Sequence, residues 1–89
     1  MISYRQLKRH FHKLLTSLDA VFCPEEIKAV QEFIETKEYG LAFETVCDII
    51  RERQKRISAE SFELLAALGM KMHVDVDRWA GLRGHVRKG

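Results

Sequence analysis

Residues 3–22 read SYRQLKRHFHKLLTSLDAVF, and their spacing decides the fold class. Ser3 followed three places later by Gln6 has the pattern of a capping box, in which a hydroxyl and a carboxamide satisfy free amides at a helix start. From there Tyr4, Leu7, Phe11, Leu14, Leu15, Leu18 and Phe22 fall on one stripe at helical spacing, with Arg5, Lys8, Arg9, His12 and Lys13 on the opposite side. The period predicts an amphipathic helix with a basic outer face.

Working onward, Pro24 suits the first turn of a second helix, and Glu25 and Glu26 place negative charge at the positive end of its dipole. Ile27, Val30, Phe33 and Ile34 form its inner side, while Glu25, Lys28, Glu32 and Glu35 face out. Residues 36–40 leave room only for a tight corner, whose backbone is assigned to Gly40. A third helix over residues 39–53 buries Ala42, Phe43, Val46, Ile49 and Ile50, and Glu44, Asp48 and Glu52 line its other side at four-residue spacing. Such stacked like charges weaken an isolated helix and hint at a use elsewhere.

Residues 54–57 read as a basic linker. Ser58 caps a fourth helix that runs to Met72, with Phe62, Leu65, Leu68 and Met72 inward. Asp75 caps a short last helix carrying Val76, Trp79 and Leu82, with Trp79 closing the core, and from about residue 84 a frayed basic tail is expected. No β alternation and no repeat interrupts this pattern. The expectation is one all-α domain over residues 1–89, a compact bundle of four to five short helices.

Eighty-nine residues with 46% hydrophobic and 31% charged side chains suffice for one small core without disulfides. Cys23 and Cys47 lack the close pairing of a redox or zinc motif and read as reduced structural thiols. The first residues contain no uninterrupted apolar run, so neither a signal peptide nor a membrane span is expected, and the chain is placed in the cytoplasm.

The charge is segregated. Residues 25–52 hold eight acids and three bases, net −5, against four bases and one acid over residues 1–24 and eight bases and four acids over residues 53–89. An acidic belt between two basic flanks points to a charged partner. Catalytic patterns are missing: His10 and His12 diverge on a helix, His73 and His85 have no ligand partners at helical spacing, and there is no phosphate-binding glycine loop or nucleophile beside a base. The sequence therefore predicts a binding protein and not an enzyme, with no catalytic residue, metal, cofactor or small-molecule substrate.

The stretch from Glu32-Phe33-Ile34-Glu35 through Glu38-Tyr39-Gly40-Leu41-Ala42-Phe43-Glu44 to Val46-Cys47-Asp48-Ile49-Ile50 resembles a family of small all-helical bacterial immunity proteins. These belong to contact-dependent growth inhibition and Maf-type polymorphic toxin systems. Ile57-Ser58, Phe62-Glu63-Leu64-Leu65, Leu68-Gly69-Met70-Lys71-Met72, Trp79 and Leu82 look like the same family's closing helices, so the likeness covers roughly residues 27–82. It implies an antidote that binds a cognate toxin domain one-to-one, often an EndoU-type ribonuclease, and covers its active site. A slightly basic chain departs from the acidic character such an antidote would need, but a local acidic surface supplies it.

On that reading the toxin-binding residues are Glu25, Glu32, Glu35, Glu44, Asp48 and Glu52, with Tyr39, on the corner between the two acidic helices, either an exposed anchor or packed into the core. Two alternatives stand beside it. A helical nucleic-acid-binding module would use Arg5, Lys8, Arg9 and Lys13, although the acidic belt argues against it, and a self-associating adaptor would bury an apolar stripe.

Overall fold

The computed structural model describes residues 3–88. They form four α-helices, α1 (Tyr4–Leu18), α2 (Pro24–Glu35), α3 (Tyr39–Glu52) and α4 (Ala59–Lys71), followed by two 3-10 turns, Val76–Arg78 and Ala80–His85. No β-strand occurs among the described residues, and the chain is a small all-α bundle.

Caps explain where the helices begin. Ser3 accepts from the Gln6 amide while the Gln6 carboxamide accepts from the Ser3 amide, completing the capping box of α1. Pro24 opens α2, and Ser58 accepts from the Ser61 amide to start α4. The ends of α2, α3 and α4 share one device. Lys37, Gln54 and His73 each take a left-handed backbone, at φ 62°, 48° and 59°. The amide one residue later then donates to a carbonyl of the last turn: Glu38 to Phe33, Lys55 to Ile50 and Val74 to Gly69, at 2.8–2.9 Å. The corner between α2 and α3 is thus turned by Lys37, and Gly40, expected to turn it, lies within α3 with open space where a Cβ would sit.

The core runs between α1 and α4 on one side and the α2–α3 hairpin on the other, around Phe11, Leu14, Leu18, Val30, Phe43, Val46, Ile50, Leu65 and Leu68. Ile27, Phe33, Ile49 and Met72, expected inside, are half-buried and pack against it. α1 and α4 are antiparallel, tied at one end by a hydroxyl relay. Ser58 Oγ donates to buried Ser61 Oγ, which donates to Ser17 Oγ at 2.8 Å, which donates to the Leu14 carbonyl.

Trp79 does close the core. Its indole lies against Gly69, where a Cβ would stand 2.8 Å from Nε1, and tilts across Phe62. Two expectations at this end change. The short last helix is a pair of 3-10 turns that leaves Val76 exposed. The frayed tail is held: Ile57 donates to the His85 carbonyl and the Arg87 amide donates to Ile57, at 2.9 and 2.8 Å, pairing Val86 with buried Ile57 in a parallel bridge. The apolar residue of the supposed linker is what anchors the tail.

Candidate functional site

The seven residues assigned to toxin binding do not form one surface. Glu25, Glu32 and Glu35 lie on an exposed stripe of α2, and Glu35 edges the groove between α1 and α2 together with Lys8, His12 and Gln31. Glu44 and Asp48 belong to the other side of the hairpin. They line a groove of about 510 Å³ between α3 and the first 3-10 turn, with Phe43, Cys47, Arg51, Asp75, Asp77 and Arg78. Glu52 is exposed in the last turn of α3.

Tyr39 is not an exposed anchor. It is 7% exposed, its ring stacked between Phe11 at 5.8 Å and Tyr4 at 5.6 Å. Tyr4, expected in the core stripe of α1, is the exposed ring at 61%, with the Lys37 ammonium 5.5 Å from its centroid. Spacing alone could not tell them apart: Tyr4 stands in the first turn of α1, where the stripe has run past the edge of the core, and Tyr39 fills the place left between Phe11 and the α2–α3 corner.

The acids divide by whether they already hold a cation. Arg78 binds Glu44 through its guanidinium, and Arg51 sits 3.6 Å from Asp48 while donating to the Arg78 carbonyl at 2.9 Å. This lattice ties α3 to the 3-10 turn and neutralises the groove's two α3 carboxylates. Glu25, Glu32, Glu35 and Glu52 join no ion pair among the described residues.

Glu26, read from the sequence only as negative charge at the start of α2, is 5% exposed. Its Oε1 accepts from the Cys23 amide at 2.8 Å and lies 3.0 Å from Lys55 Nζ, while Oε2 approaches Arg53 at 3.1 Å. The Arg53 contact is an ion pair without hydrogen-bond alignment. Burial raises this carboxyl's pKa, but the Cys23 amide and the Lys55 ammonium outweigh it, and the net shift is downward. The legible signal was Glu26 three places after Cys23 at the start of α2, the acceptor half of a capping box.

Cys23 and Cys47 are both free thiols. Cys47 is buried under the groove, and burial pushes it up to about 12. Among the described residues no three histidine, cysteine, aspartate or glutamate side chains converge to hold a metal ion, and no helix is long and apolar enough to cross a membrane. No family model matches the chain, and comparison with curated proteins and with solved structures finds none similar to it.

Proposed function

We propose that the chain is an antidote: it binds a cognate toxin domain one-to-one and shields that domain's RNA-cleaving centre, with the outer acids of α2 meeting a cationic cleft. The observation that carries this reading is the division between paired and unpaired acids. Glu26, Glu44 and Asp48 hold internal cations, so offering them to a partner would break an existing ion pair. Glu25, Glu32 and Glu35 hold none, and they share one face of a capped helix. Exposed anions in a fixed array speed encounter with a positive cleft and penalise partners that leave them unmatched. The α2–α3 hairpin also falls largely within the stretch, roughly residues 27–82, on which the resemblance to immunity proteins rests.

In this reading the chain performs no chemistry and acts by excluding RNA. A partner footprint of about 800 Å² is a minor part of its 5917 Å² surface, so one docking face leaves the others free. The test is calorimetry against the toxin domain encoded beside this chain, with RNA cleavage assayed in parallel. A one-to-one complex that stops cleavage is expected. Charge reversal at Glu25, Glu32 and Glu35 should weaken it by about 100-fold with helicity unchanged. Failure to bind, or binding that leaves cleavage intact, removes the reading.

A further inference from the structure

Across its fifteen residues α1 carries no acid. Arg5, Lys8, Arg9 and Lys13 are exposed on its outer side, and none of them joins an ion pair among the described residues. From Arg5 to Lys13 the helix rises about 12 Å, so these bases form a short ladder of neighbouring charges on successive turns. α4 extends the field: the pKa of His10 is lowered by burial and then by Lys71, Lys13 and Arg9. Glu35 and Glu60 stand at the edges of the two grooves flanking the ladder, in neither case as an ion-pair partner of its bases.

Tyr4 stands beside the ladder, on the stripe of α1 that faces Tyr39 and one turn before Lys8. Its ring is the outer member of a stack that passes through Tyr39 to Phe11 in the core, with interplanar angles of 29° and 24°. A solvent-facing aromatic held in place by a buried one is a preorganised platform; the Lys37 ammonium lies over this ring, 5.5 Å from its centroid, and an incoming base would take its place. Cations that track a backbone next to an exposed ring are the two elements by which proteins hold unpaired nucleotides. A duplex offers phosphates but hides its base faces, so the ring selects for a single strand.

We propose that the outer face of α1 binds a single-stranded nucleic acid, phosphates lying along Arg5, Lys8, Arg9 and Lys13 and a base stacking at Tyr4. The acidic belt that argued against such binding is weaker than its sequence, because Glu26, Glu44 and Asp48 are matched internally. The site uses none of the α2 acids, so it stands or falls separately from the antidote reading.

Fluorescence anisotropy of the full chain against labelled oligo(U) and oligo(dT) of about 15 nucleotides, a duplex and polyglutamate tests it. Both single strands should bind better than the duplex, and the two together separate a backbone-and-base site from one that reads the 2′-hydroxyl. Affinity should fall about 50-fold between 50 and 200 mM salt, as for about four neutralised phosphates on a single strand. Arg9→Glu with Lys13→Glu should abolish binding, whereas Arg87→Glu with Lys88→Glu, the same change in net charge elsewhere, should leave it within about twofold. Tyr4→Leu should cost about fivefold or more. Arg9→Gln with Lys13→Gln serves if the reversal unfolds α1. No binding at 50 mM salt, equal losses in both reversed pairs, a preference for the duplex, or equal binding of polyglutamate overturns the proposal.

Discussion

Lys55 Nζ lies 3.0 Å from Glu26 Oε1, joining the first turn of α2 to the connection between α3 and α4. The same ammonium stands 5.8 Å from the centroid of the buried Phe22 ring. A nearly buried carboxylate is held by one backbone amide and by two cations, Lys55 and Arg53, from a distant part of the chain.

Removing that carboxylate leaves Lys55 half enclosed without its counter-charge and frees the Cys23 amide. Glu26→Ala should therefore destabilise the fold by about 3 kcal/mol, a drop in thermal midpoint of more than about 10 °C by calorimetry. The pH dependence follows from the downward shift. A carboxyl lowered on folding contributes fully above its unfolded value, here the ordinary 4.5, and loses that contribution as pH falls through the folded one. Between about pH 5 and 3 the native chain should lose more stability than Glu26→Gln, which has no proton to gain. Parallel slopes would exclude the coupling.

The three glycine and helix-end positions respond in opposite directions. Lys37→Gly relieves a left-handed lysine and should stabilise by about 1 kcal/mol. Gly40→Ala meets open space in α3 and should add about 0.5–1 kcal/mol. Gly69→Ala drives a methyl to 2.8 Å from the Trp79 indole and 3.0 Å from Phe43, and should cost about 1–3 kcal/mol. Urea denaturation of the three variants gives the signs directly.

Cys47 should resist alkylation in the native protein. Burial pushes its thiol up to about 12, so the reactive thiolate is scarce at about pH 8, and the sulfur is shielded from solvent as well. Mass spectrometry after iodoacetamide should find Cys47 modified only once denaturant is added. Native-state labelling there would show that the α3 groove opens.

Tyr39 and Tyr4 should separate stability from contact. Tyr39→Ala removes a ring stacked between two others inside the core and should cost about 3–5 kcal/mol. Tyr4→Leu, at an exposed position, should stay within about 1 kcal/mol. A reversed order in thermal melts would restore Tyr39 as a surface residue.

Much of the fold was legible because its signals are local. The Ser3 and Ser58 caps, Pro24 and the 3.6-residue stripes placed the starts of all four helices and the ends of α2, α3 and α4 to within a residue or two, since capping and amphipathic burial act within one or two turns, whereas the first stripe ran on to Phe22, past the end of α1 at Leu18. The corner between α2 and α3 was legible in position but not in its residue. A left-handed backbone favours glycine, yet the hydrogen bonds of the helix end hold Lys37 in it, and the nearby Gly40 carries no such strain. The 3-10 turns misled for the opposite reason: Val76, Trp79 and Leu82 have helical spacing, but what holds them is the packing of Trp79 and Leu82, not a regular helix.

The sequence by itself determined an all-α chain, where its four helices start and a basic α1 beside an acidic α2 and α3, because each depends on residues a few places apart. Only the tertiary structure decided which charges are free. Glu26 with Lys55, Glu44 with Arg78, the tail on Ile57 and Tyr4 over Tyr39 all join residues far apart in the chain. Charge and spacing say what a side chain can do. Burial and its neighbours, which exist only once the helices pack, determine whether that charge or ring remains available to a partner.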